Sequence, residues 1–142
     1  MRNLRIKLDM ALIKYMALFE KITRASVKDC FEQGDRLVFI VNEGQIGKAI
    51  GKGSVNVKKI ENLVKKKIRI VEYNSDMHKF VQNIVHPFKL ENIEYDEDTK
   101  ILTLTAVDSK TRGYLIGRAA SNLRNYEAVL KRHTKVSELK VN

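Results

Sequence analysis

Ala49 Ile50 Gly51 Lys52 Gly53 Ser54 Val55 Asn56 Val57 Lys58 and, 66 residues further on, Leu115 Ile116 Gly117 Arg118 Ala119 Ala120 Ser121 Asn122 Leu123 Arg124 are two writings of one phrase. Each sets an apolar residue, a glycine and a cation ahead of two small residues, then an Asn followed two places later by a second cation. A repeat of this period in a chain of 142 residues divides it into two similar units, 1–74 and 75–142. Units of that size have limited cores, and two of them joined with little linker can cover each other's apolar faces. The expectation is a rigid tandem.

Working outward from the first copy, Leu12, Tyr15, Met16, Phe19 and Ile22 recur at helical spacing behind a possible N-cap, Asp9, and Ile13, Ala17 and Leu18 widen the apolar surface as if more than one face were covered. Residues 25–31 and 36–42 read as strands about a Gly34 Asp35 turn. Glu43 to Ile50 forms a short helix, Gly51 to Ser54 a loop, and a longer helix follows with Val57, Ile60, Leu63 and Val64 on one side; residues 68–72 close the unit as a strand. The order then repeats, as a helix over 76–85, strands over 90–95 and 101–107 and a short helix over 110–116. A loop over 117–120, a long helix over 121–133 with Leu123, Tyr126 and Leu130 inward, and a strand over 136–141 complete it. The fold class is α+β, with Tyr73 to Asp76 as a short junction lacking Pro and Gly.

Helix, tight glycine loop and helix place backbone N–H groups and a helix N-terminus together, which suits an anion. Glycine allows left-handed angles there and a close approach of a phosphodiester to the main chain. Lys52 and Arg118 in the loops, and Lys58 and Arg124 one turn into the long helices, can neutralise phosphates; Asn56 and Asn122 stand where they can brace the loops by hydrogen bonds.

These residues resemble the IGxxG signature of KH domains, carried by Ile50 Gly51 Lys52 Gly53 and by Ile116 Gly117 Arg118. The resemblance implies a loop that clamps the backbone of single-stranded nucleic acid. The order of elements resembles the type II topology, so the resemblance implies two tandem type II KH domains. With Val41 Asn42 Glu43 Gly44 and Lys131 Arg132 His133, the whole chain resembles the archaeal NusA-like transcription factors. That family implies binding of nascent RNA during elongation, pausing or termination, with RNA polymerase or other transcription factors as further partners. The implied RNA-contacting set is Ile50, Gly51, Lys52, Gly53, Ser54, Asn56 and Lys58, with Gly117, Arg118, Ala119, Ala120, Asn122 and Arg124 in the second unit.

The copies depart from the family pattern unequally. Ser54 replaces the last glycine of the first loop and can hold it if its φ is negative; Ala119 and Ala120 replace the glycine-rich centre of the second. An alanine forced into left-handed angles is strained by about 1–2 kcal/mol, and its Cβ stands toward the approaching phosphate. Charge is divided the same way: the first 75 residues hold 16 Lys and Arg against 8 Asp and Glu, a balance of +8, and the remainder hold 11 against 9, or +2. The first unit is expected to be the stronger RNA site.

Other chemistries find no support. The glycine cluster lacks a P-loop pattern, and the three histidines share no metal spacing with each other or with Cys30, which reads as a packing residue. Asp96 Glu97 Asp98 is a solvated turn, and no nucleophile stands beside a base, so neither an enzyme, a cofactor nor a small-molecule substrate is expected. A net charge of +10 favours a polyanionic partner. One cysteine, no bilayer-length apolar run and no signal-type start point to a soluble cytoplasmic protein and away from a membrane. Two rival readings stay open: a KH protein of ribosome assembly or translation, and a protein-interaction module in which the second unit, or both, has lost RNA binding.

Overall fold

The computed structural model describes the backbone of residues 2–142 and the side chains of residues 10–142. The chain divides into two compact units, Met1–Asn74 and Ser75–Asn142. Unit one runs α1 (Arg2–Thr23), β1 (Val27–Gln33), β2 (Arg36–Val41), α2 (Ile46–Ile50), α3 (Val55–Val64) and β3 (Lys67–Glu72). Unit two repeats the order as α4 (Met77–Val85), β4 (Leu90–Tyr95), β5 (Ile101–Ala106), α5 (Ser109–Ile116), α6 (Ser121–His133) and β6 (Glu138–Val141). A single 3-10 turn, Lys52–Ser54 or Arg118–Ala120, separates α2 from α3 and α5 from α6.

Each unit has one three-stranded sheet of the same design. The middle strand, β2 or β5, pairs antiparallel with the strand before it and parallel with the last strand of its unit. Even the register shift recurs, between Val27 and Asp29 in one sheet and between Leu90 and Asn92 in the other. The parallel pairing needs a crossover, and the two-helix segment bearing the loop is that crossover. In this way the topology holds each loop between two strands of a packed sheet.

In unit one, Leu37, Phe39 and Val41 of β2 join Phe19, Ala25, Cys30, Ala49 and Ile60 in a buried core. Phe19 stacks on Phe39 with ring centroids 4.4 Å apart, tying α1 to the sheet. Val38 and Ile40, on the opposite face of β2, are equally buried, which fits its unbroken apolar run Leu37 to Val41. Strand β5 instead alternates, with Leu102, Leu104 and Ala106 buried and Thr103 and Thr105 partly open. Buried groups on the helices of unit two are Phe80, Val81, Ile84 and Val85 of α4, Leu115 of α5 and Tyr126, Val129 and Leu130 of α6.

Several expectations from the sequence need correction. Helix α1 begins at Arg2 and not at Asp9, because residues 2–8 contain no Gly or Pro to stop it. Asp9 therefore lies within the helix, and its side chain is outside the described residues. Among the described residues of α1, Leu12, Tyr15, Met16 and Ile22 pack on the core and Leu18 is half-buried, whereas Ala17 is exposed and Ile13 is 65 % exposed, so the apolar surface is not covered all round. Leu63 likewise is exposed, since Val57, Ile60 and Val64 take the inward stripe of α3. Strands β1 and β6 start two residues later than expected because threonines use the preceding amides: Thr23 Oγ1 accepts from Ala25 N at 3.0 Å and Thr134 Oγ1 from Val136 N at 3.2 Å.

One matched pair was not legible in the pattern. Glu61 Oε2 accepts the amide of Ile68, and Glu127 Oε2 the amide of Leu139, both at 2.9 Å. Each long helix is thus clamped to the second residue of the strand that follows it. Cys30 is buried, and its thiol is pushed up to about 12 by burial first and by Asp29 and Glu32 second.

Candidate nucleic-acid interface

The two loops have the same backbone. Gly51 (φ 77°, ψ 165°) and Gly117 (φ 76°, ψ 177°) occupy an extended positive-φ region that is essentially glycine's alone. After the cation come two successive left-handed residues, Gly53 (63°, 25°) and Ser54 (59°, 28°) in unit one, Ala119 (53°, 33°) and Ala120 (60°, 24°) in unit two. Ser54 does not hold the loop with a negative φ; it is left-handed, as Ala120 is at the matching place in unit two. Left-handed geometry costs an L-residue about 1–2 kcal/mol. The first loop bears that cost at one residue and the second at two.

The reason for the first glycine is now specific. Asn56 Nδ2 donates to the Lys48 carbonyl at 3.1 Å, and Asn122 Nδ2 donates to the Tyr114 carbonyl at 2.8 Å, so each Asn braces the long helix to the last turn of the short one. Both side chains lie directly over the glycine. A Cβ added at Gly51 would come within 2.8 Å of Asn56 Nδ2, and one at Gly117 within 2.7 Å of Asn122 Cγ. The space that the sequence reading assigned to an approaching phosphate is occupied, at these two positions, by the brace. Gly53 is different: a Cβ there would meet nothing within 4 Å. It leaves bare backbone facing open space, and Ala119 puts a methyl group at the corresponding place.

The loop also sets the electrostatics. Helices α4 and α5 are capped by carboxylates, with Asp76 accepting from His78 N and Lys79 N, and Asp108 from Thr111 N at 2.7 Å. Donation from Thr111, its amide before its side chain, holds the Asp108 carboxyl below its ordinary range. Helices α3 and α6 have no side-chain cap: Ser54, left-handed at the N-cap of α3, makes no capping bond, and Ala120 at that of α6 has no side-chain acceptor. Their positive ends are left for an outside acceptor. Lys52, Lys58, Arg118 and Arg124 are exposed around these ends, and Ile50, Gly51, Gly117, Ala120, Asn56 and Asn122 are half-buried beneath them.

Two features escaped the sequence reading. The carbonyl held by each Asn belongs to Lys48 in one unit and Tyr114 in the other; the 66-residue register aligns them and could have exposed the difference. Next, Lys58, Lys65, Lys66 and Lys67 line a surface groove of about 660 Å³ with Asp35, Glu61 and Asn62. Lys66 pairs with Glu32 at 3.2 Å and Lys67 reaches Glu61 at 4.0 Å, so this lysine run is partly neutralised at the helix end. Among the described residues no cluster of His, Cys, Asp and Glu could hold a metal, and no helix is long and apolar enough to cross a membrane.

Residues 13–92 match the KH domain family, a span that includes the first loop and most of unit one. The chain belongs to the KH-domain family. Among its relatives, this KH-domain chain is 36 % identical over 138 residues to a protein of Methanocaldococcus jannaschii called "Probable transcription termination protein NusA", covering 96 % of this chain and 75 % of that one. A protein of the same name from Methanococcus vannielii is 36 % identical over 141 residues, covering 97 % and 80 % of the two chains. Another of that name from Halococcus morrhuae is 27 % identical over 138 residues, covering 97 % and 99 %. Of the solved structures, "Crystal structure of APE1850" superposes with a TM-score of 0.66 at 28 % identity, covering 94 % of this KH-domain chain and 99 % of that one.

Proposed function

We propose that both units are KH domains and that the protein binds single-stranded RNA through its two glycine loops, acting on nascent transcripts in elongation or termination. The observation that carries this is the pair of isogeometric loops, each presenting an uncapped helix N-terminus amid exposed cations. The transcriptional role follows the relatives named as termination proteins, two of them at 36 % identity over nearly the whole chain. No group in this reading performs chemistry, so the role is binding.

Unit one is the stronger site. Its loop offers bare backbone at Gly53 and three cations, Lys48, Lys52 and Lys58, whereas unit two offers Arg118 and Arg124 and a methyl at Ala119. With about five cations engaged, log affinity should fall with log salt at a slope of roughly −3.5, from about −0.7 per contact. A slope near zero would end the electrostatic reading. The paired variant Lys52→Asp with Gly53→Asp is expected to remove most binding, and Arg118→Asp with Ala119→Asp to remove less; equal losses would refute the ranking. For the biological role, crosslinking in cells should map contacts over nascent transcripts, and contacts confined to ribosomal RNA would overturn it in favour of ribosome assembly or translation.

A further inference from the structure

Tyr114 stands three residues before Gly117, where unit one has Lys48 before Gly51. Its carbonyl is fixed by Asn122, so the residue sits on the braced turn of α5 that carries the loop. Its ring is stacked on Phe88, centroids 5.3 Å apart and planes 13° from parallel. Phe88 is itself anchored, its amide donating to the Val85 carbonyl at the end of α4 at 2.9 Å. Yet Tyr114 remains 50 % exposed. A large aromatic side chain half open to water, held nearly parallel to a second ring and one helical turn from a phosphate-binding loop, forgoes burial that it could have had.

We propose that the Tyr114–Phe88 pair is a stacking platform for an unpaired base of the RNA held at the second loop. The inference rests on the RNA-binding reading above and gives unit two a means of binding that unit one lacks. Every base has a π-face, so a ring that extends an existing stack takes a base with little regard to sequence. The cation at position 48 and the ring at position 114 are then two solutions to one problem: what to offer the strand one turn before the glycine. Lys48 offers a charge whose attraction salt screens; Tyr114 offers a surface whose attraction it does not. This fits a unit whose net charge is +2 against +8 in its neighbour.

The test uses the full chain, a short mixed-sequence single-stranded RNA and an abasic ribose-phosphate oligomer of the same length. Tyr114→Leu, which keeps an apolar side chain at this surface position, should weaken binding of the base-bearing RNA roughly tenfold. It should leave the salt slope where it was and scarcely alter the abasic oligomer. Tyr114→Phe should restore most of the lost affinity, and Phe88→Leu should reproduce part of the loss. Tyr114→Lys should bind the abasic oligomer more tightly than the parent and steepen the salt slope by roughly 0.7. Circular dichroism melting of each variant separates these effects from unfolding. If the parent binds RNA, the Lys52→Asp variant loses it, and Tyr114→Leu binds both oligomers as the parent does, the platform is wrong while the RNA-binding function stands. A Tyr114→Leu loss that is equal for the two oligomers would likewise overturn it. If the parent binds no RNA, both ideas fall together.

Discussion

The two loops share their backbone angles to within 12° and share only the leading glycine at the four loop positions, Gly51 Lys52 Gly53 Ser54 against Gly117 Arg118 Ala119 Ala120. The difference shows which groups make the shape. Glycines at 51 and 117, and the Asn lying over each, recur because the geometry fails without them. Positions 53 and 54 vary although both are left-handed; at Gly53 an added Cβ would meet nothing within 4 Å, so the cost there is strain alone. What varies is what the loop offers at its surface: bare backbone at Gly53 and a lysine in one, alanine methyl groups and an aromatic pair beside the other.

That division can be broken first at the leading glycine. Gly51→Ala and Gly117→Ala should each destabilise their unit by about 3 kcal/mol, since a glycine-only conformation and a clash with the brace add together. Urea unfolding measures it, and a loss below about 1 kcal/mol in either would show that the Asn can move aside. Removing the brace itself is the next largest change. Asn56→Ala and Asn122→Ala should cost similar amounts, about 1–2 kcal/mol, through the lost hydrogen bond and the void left over the glycine. A marked inequality would mean that the loops are not held alike.

Exchanging residues between the loops gives a smaller and opposite pair. Ala119→Gly should stabilise unit two and Gly53→Ala should destabilise unit one, each by about 1 kcal/mol, less the entropy that glycine returns to the unfolded chain. The same Ala119→Gly, combined with Ala120→Gly, should strengthen RNA binding if the methyl groups obstruct the phosphate; unchanged affinity would assign the inequality of the units to charge. The last effect concerns a core and not the loops, and is absent at neutral pH. Cys30 has its protonated form favoured by folding, so its contribution is complete below the ordinary thiol value of 9.0 and is lost as pH rises toward about 12. Replacing Cys30 with Ala should remove that alkaline slope from the denaturation curve, and the native thiol should resist alkylation at neutral pH.

Much of this was readable without coordinates. Residues such as Leu123, Tyr126 and Leu130, or the run Leu37 to Val41, carry period and hydrophobicity that survive in any folded context, so the elements and their order could be listed in advance. The glycine–cation phrase, repeated, pointed to an anion loop because the conformational freedom of glycine and the chemistry of a helix end are local properties. Errors fell where tertiary partners decide. Ile13 and Leu63 are as apolar as their buried neighbours, and only the position of the sheet leaves them outside. Ser54 could have taken either sign of φ, and in the folded loop it has the costlier, positive one.

The sequence by itself determined the repeat, the α+β order, the sites of the loops and the uneven charge, all of which depend on residue type and spacing. Only the tertiary structure decided that Gly51 and Gly117 are required beneath an Asn brace, that Glu61 and Glu127 clamp helix to strand, and that Tyr114 meets Phe88. These contacts join residues 5 to 26 positions apart; spacing could place Asn56 and Asn122 near their loops, but which backbone group each side chain meets is settled only when helices and strands pack in three dimensions.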